Sequence, residues 1–135
     1  MGFIPYKVDG SNRPQSLDYL PCGAITPKKG LALTINTSTG LLAATGDTAK
    51  PEYICMREES AAVDSGTIIP VLRVNPDMVF EVPTQADNSS TKLGVLLKLY
   101  SDSLQVIATS GGKCELIGKG PKGGAAGDIV YVRIP

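Results

Sequence analysis

The 135-residue chain has no histidine and no tryptophan, and only 5% of its residues are aromatic. Without histidine, the commonest general base, the Ser-His-Asp and Cys-His arrangements and the usual catalytic zinc ligands are all lost together. The expectation is a protein that is not an enzyme and has no small-molecule substrate. Cysteine is nearly as scarce: Cys22, Cys55 and Cys114 are an odd number at wide spacing with no C-x-x-C pair. That pattern supports neither a disulfide framework nor a zinc site, and suits small buried thiols. A net charge is missing too, with 13 basic residues against 13 acidic ones. Nucleic-acid binders usually carry a basic excess, because their affinity rests on neutralising phosphates. The stretch from Asp47 to Asp87 instead holds three basic residues and eight acidic ones. Long apolar runs are absent as well: the longest uncharged stretch, Gly30 to Gly46, is broken by Thr34, Asn36, Thr37, Ser38, Thr39 and Thr45. It is too polar to span a membrane. The N-terminus MGFIPYKVDGSN has no basic segment followed by an apolar core, so no secretory signal is expected and the protein should stay where it is made.

What the chain does have is apolar content, at 42%, cut into short pieces by 15 glycines and 10 prolines. That composition folds, but long helices are improbable. Residues 1–29 carry Pro5, Pro14, Pro21 and Pro27 between small apolar clusters and read as an extended N-terminal arm, in which only Gln15 to Leu20 could form a helical turn. Residues 30–135 read as a single β-rich domain. Strands are expected near Leu31 to Ile35, Leu41 to Ala44, Tyr53 to Arg57, Ile68 to Val74, Met78 to Val82, Val95 to Tyr100, Leu104 to Ala108, Cys114 to Ile117 and Ile129 to Ile134. The last is the clearest, with Val130, Val132 and Ile134 forming one apolar face. The fold class is therefore mainly β: a compact antiparallel β-sandwich or small barrel with an extended N-terminal arm and little helix.

One internal resemblance stands out. Shifted by 64 positions without a gap, GLALTINTSTGLLAAT from Gly30 overlies GVLLKLYSDSLQVIAT from Gly94. Either a hairpin has been duplicated, or the common grammar of hairpins has recurred.

The stretch GKGPKGGAAGD contains a literal G-x-G-x-x-G at Gly118, Gly120 and Gly123. A dinucleotide fingerprint needs a helix directly after the glycines and an acidic residue about 20 positions later. Here Pro121 interrupts the motif, a strand follows, and 12 residues remain after Gly123. The expected structure is an exposed, mobile loop kept soluble by Lys119 and Lys122, and no cofactor is implied. Glu58 and Glu59 are adjacent, so on a strand they would face opposite sides, the wrong arrangement for a catalytic pair. Asp77 falls in a turn and no calcium loop is present, so no metal site is expected. A small barrel binding an oligonucleotide or a glycan is an alternative, but Tyr53, Tyr100 and Tyr131 stand alone without a cationic cluster.

The run PCGAITPKKGLALTINTSTGLLAATGDTAKPEYICMREE, followed by SGTIIPVLRVNPDMVFEVP, resembles the capsid decoration, or cement, proteins of tailed bacteriophages. The likeness lies in the order of a G-x-I-x-P entry, a TG-LL-AA-x-GD hairpin, and the G-x-x-IPV-x-RV and FEV runs. It covers residues 20–83, with GDIVYVRIP as an echo, and other virion components such as tail or head-fibre proteins share loose β-rich patterns of this kind. The resemblance implies a protein made in the bacterial cytoplasm and carried on the virion. It would bind the outside of the head, bridge capsomers of the major capsid protein, and commonly assemble as a homotrimer. The family supplies no motif of contact residues. The apolar side chains of the arm, Phe3, Ile4 and Tyr6, are the expected capsid contacts.

Overall fold

The structure, a computed structural model, describes residues 2–8 and 17–135. Among these it has no helix and eleven strands: β1 (Ile4–Val8), β2 (Leu17–Pro21), β3 (Ala32–Asn36), β4 (Leu41–Ala44), β5 (Tyr53–Cys55), β6 (Ile68–Arg73), β7 (Met78–Pro83), β8 (Leu96–Leu99), β9 (Val106–Ser110), β10 (Cys114–Lys119) and β11 (Ile129–Arg133). They form two antiparallel sheets, one ordered β2-β6-β5-β3-β4 and the other β1-β7-β11-β10-β8-β9. All nine strands expected from the sequence are present. Of the arm expected over residues 1–29, positions 1 and 9–16 lie outside the described residues, and the described parts supply β1 and β2. Leu17–Pro21 is extended, not the helical turn that the sequence allowed.

Prolines sit inside these strands because of where their missing donors fall. The amide of Cys22 donates to the Thr67 carbonyl at 2.9 Å, so along β2 the even-numbered residues bond toward β6 and the odd-numbered ones point away. Pro21 therefore forfeits no ladder bond. Pro70 lies opposite Tyr19, between the bonded pairs Asp18–Val71 and Leu20–Ile69. Its nitrogen faces the end of β5, where Met56 N–H still donates to the Pro70 carbonyl at 3.0 Å, so the proline gives up only the return bond at the last rung of that ladder.

The two sheets repeat one pattern. Strands β2 to β6 and strands β7 to β11 each follow the order first, fifth, fourth, second, third. Registers repeat as well: Leu17 opposes Leu72 as Val79 opposes Arg133, Leu33 opposes Tyr53 as Leu97 opposes Cys114, and Cys55 opposes Val71 as Leu116 opposes Val132. A parallel bridge closes each unit at the same place, Cys22 to Leu42 in the first and Thr84 to Val106 in the second. The turn before each fifth strand returns to that bridge, Gly66 N–H to the Cys22 carbonyl at 2.7 Å and Gly127 N–H to the Thr84 carbonyl at 2.9 Å. The 64-residue likeness of the hairpins is thus part of a duplication of the whole five-stranded unit. Its spacing drifts from 62 residues at the first strand to 61 at the last two, because the connecting loops differ in length.

The interiors correspond position for position. Cys22, Leu31, Leu33, Leu42, Tyr53, Cys55, Ile69 and Val71 fill the first unit. Their counterparts in the second are Thr84, Val95, Leu97, Val106, Cys114, Leu116, Val130 and Val132. The units pack asymmetrically. Ala32, Ile54 and Leu72, on the outer face of the first sheet, are buried in the cluster that fills the second unit. Their counterparts on the outer face of the second sheet are Leu96, Glu115 and Arg133, which are partly or substantially exposed. Polarity at equivalent positions follows the packing.

Candidate interaction surface

The expected contact residues lie on and just before β1, and the fold separates them. Strand β1 pairs antiparallel with β7, Ile4 opposite Glu81 and Pro5 opposite Phe80. Phe3 is buried, its ring edge-on to Phe80 at 5.9 Å between centroids and its amide bonded to the Gly30 carbonyl at 2.9 Å. It is a core anchor in this structure. Ile4 and Tyr6 remain outside, 49% and 55% exposed. The Tyr6 ring lies 4.8 Å from that of Tyr131 on β11, tilted by 54°. Burial pushes the Tyr131 phenol above its ordinary range, and the Glu81 carboxylate and Tyr6 add to the effect. Tyr131 accordingly stays neutral and serves as an apolar platform with a polar tip.

A cleft of about 270 Å³ opens beside Ile4, lined by Phe3, Ile4, Pro5, Lys29, Met56 and Glu58. Its rim is charged but internally paired. The Glu58 carboxylate accepts the Lys29 amide at 3.2 Å and meets Lys28 Nζ at 3.2 Å, which holds it below the usual carboxylate range. Glu59 is taken by Arg57, whose Nε donates to it at 2.9 Å. The Glu58-Glu59 pair that the sequence presented is committed to these structural ties.

A second cleft, of about 310 Å³, lies at the mouth of the first unit between Lys50, Glu52, Tyr53 and Arg73. Arg73 Nη2 donates to the Tyr53 hydroxyl at 3.2 Å, and Glu52 accepts the Ile35 amide at 3.1 Å. The polar groups here hold strand edges together.

The glycine-rich stretch connects β10 to β11 as a partly exposed loop, and hydrogen bonds tie it down. Asp128 Oδ2 accepts the amides of Lys122 and Gly124, both at 3.0 Å, and Lys119 Nζ donates to the Ser89 carbonyl at 2.9 Å. Asn88, itself buried, donates its amide to the Gly124 carbonyl at 2.8 Å. The signal that sequence reading passed over is Asp128, which directs these donors inward and leaves no cradle for an anion. All three cysteines are free and buried. Burial raises the thiols of Cys22 and Cys55, and pushes that of Cys114 up to about 12, which makes them inert packing groups. Among the described residues no three His, Cys, Asp or Glu side chains are placed to hold a metal.

Comparison with known proteins returned no matching family model and no matching curated protein. Exposed apolar side chains stand on β1, at Ile4 and Tyr6, and also at Leu17, Tyr19, Ile68 and Leu93.

Proposed function

We propose that the protein is a structural component of a virus particle, a decoration protein that binds the outside of a tailed-phage head and bridges copies of the major capsid protein. The observation that carries this reading is the presentation of Ile4 and Tyr6. Two apolar side chains project from a strand that Phe3 nails into the core, so they meet a partner with little loss of conformational freedom. The order of motifs over residues 20–83 supports the same reading. Each copy needs only a modest interface, because many copies act together on one shell. Ile4 and Tyr6 are the proposed contacts and Phe3 is their support. Assembly as a homotrimer and a place on the virion surface belong to the same proposal.

The test uses expanded, DNA-free heads mixed with purified protein and imaged for occupancy. Deleting the N-terminal residues is a poor variant, since it would take Phe3 out of the core. Ile4→Lys with Tyr6→Lys keeps the strand, because Glu81 opposite Ile4 offers an opposite charge, and places two charges on the contact. Occupancy at limiting protein should fall by about thirtyfold in affinity, corresponding to roughly 2 kcal/mol, while the circular-dichroism spectrum and melting temperature stay near those of the parent. Undiminished occupancy would show that β1 is not the contact. Equal binding to immature shells would remove the stabilising role.

A further inference from the structure

The duplication exposes an asymmetry that points to a second binding surface. In the second unit, Thr84 bonds toward β11, so by alternation Val79 and Glu81 turn their amides and carbonyls outward, where β1 pairs with them through Lys7 and Ile4. The equivalent residues of the first unit are Leu17 and Tyr19. They also point outward, because Cys22 bonds toward β6 as Thr84 does toward β11. Yet β2 ends its sheet, and among the described residues no strand pairs with its outer edge at Leu17 and Tyr19, β4 meeting it only at Cys22. Exposure marks the difference: Val79 is 1% exposed, whereas Leu17 is 40% exposed and Tyr19 66%. Ile68, opposite Pro21, adds a third exposed apolar side chain at 53%.

We infer that the edge of β2 at Leu17 and Tyr19 is a docking site for an extended segment of a partner protein, running antiparallel to β2 in the register that β1 takes on β7. Main-chain bonds at Leu17 and Tyr19 would supply affinity, and an apolar side chain opposite Tyr19 would cover the exposed ring. The edge is unprotected at Leu17 and Tyr19. Pro5 blunts the outer edge of β1, since it lies between the residues that bond to β7 and its nitrogen faces away. On β2 the corresponding proline, Pro21, guards only the end where the strand meets β4, leaving Leu17 and Tyr19 open. A second copy of the chain is a poorer occupant, since its β1 is held in its own core by Phe3 and its β2 pairs badly with another β2. The incoming strand must stop near Tyr19, where β2 converges on β4 through the Cys22–Leu42 bridge, and twofold pairing over Leu17 to Tyr19 would set Asp18 opposite its own copy. This inference rests on the repeat and not on the capsid reading, so either can fail alone.

The experiment titrates the full ¹⁵N-labelled protein with a capped synthetic peptide of residues 2–8, GFIPYKV, the strand that fills the sister edge. Saturable shifts of the Leu17 and Tyr19 amides, with slowed hydrogen exchange at both, are expected. Tyr19→Pro removes an outward amide without touching the β6 ladder, and should weaken the peptide by about tenfold or more. If that variant does not fold, Leu17→Lys with Tyr19→Lys provides the same comparison. Three results would overturn the inference: no saturable shift at β2, shifts at Val79 and Glu81 through displacement of β1, or self-association abolished by the β2 variants, which would make the occupant a second copy.

Discussion

Neighbouring residues at the start of the chain have opposite fates. Phe3 goes to the core and Ile4 to the surface, and what sends them there is a close approach of two glycines. A Cβ on Gly30 would lie 2.9 Å from the Gly2 Cα and from the Phe3 nitrogen, so the bond from Phe3 to the Gly30 carbonyl depends on the missing side chain. Gly30 also has φ of +93°, the same as its repeat counterpart Gly94, which has nothing within 4 Å of the Cβ site. The pair separates two effects. Gly94→Ala should cost only the left-handed backbone penalty, about 1 kcal/mol. Gly30→Ala should cost that plus the disrupted seat of β1, about 2 kcal/mol more, since backbone must move and Phe3 loses its packing. Urea denaturation of both variants measures the difference. Equal destabilisation would mean that β1 docks independently of the Gly2–Gly30 contact. Alternation along an extended segment puts Phe3 on one face and Ile4 and Tyr6 on the other, but which face is buried was not legible in the sequence, because it rests on a contact between residues 28 positions apart.

At the scale of elements, alternation and turn residues were enough to locate the nine strands between Leu31 and Ile134. The last strand buries Val130, Val132 and Ile134, the face its alternation specified. Proline in residues 1–29 argues against a sheet, yet β1 and β2 form there. Pro5 and Pro21 escape that rule by facing outward from their ladders, a property of pairing that is invisible until the partner strands are known. The glycine-rich connection also depends on what its local pattern does not display: its ties come from a single carboxylate at its far end. Burial opposes ionisation of Asp128, and the backbone donors Gly124, Ile129 and Lys122 outweigh it, so the carboxyl sits below its ordinary range. A carboxylate depressed in the folded state stabilises fully above its unfolded value, near 3.9, and loses that contribution as pH falls through the folded value. Asp128→Ala should therefore unfold at lower denaturant than the parent at pH 7, and the gap should shrink as the pH drops below about 4. Hydrogen exchange at the Lys122 and Gly124 amides should quicken in the variant. A gap that persists unchanged at pH 2 would show that the charge is not what holds the loop.

For the whole molecule, duplication raises the question of why two similar units act as one body. The answer lies in the differences between equivalent positions. The first unit offers Ala32, Ile54 and Leu72 to the second, while the second has Leu96, Glu115 and Arg133 at those places, so the stacking ends after one step. The seam is reinforced by hydrogen bonds from Ser103 Oγ to the Thr45 carbonyl at 2.6 Å and from the Leu99 amide to the Asp47 carbonyl at 3.1 Å. Because the larger cluster draws side chains from both units and from Phe3, neither can lose its structure without opening the core of the other. Thermal unfolding should then be a single transition, with calorimetric and van't Hoff enthalpies in agreement. Leu72→Arg, which copies the residue of the second unit into the first, should bury a guanidinium at the seam and cost about 3 kcal/mol or more. Two resolved transitions in the parent protein would break the claim of a shared core. If they arise only in Leu72→Arg, the seam couples the units, because the variant changes a side chain that the first unit contributes to the shared cluster.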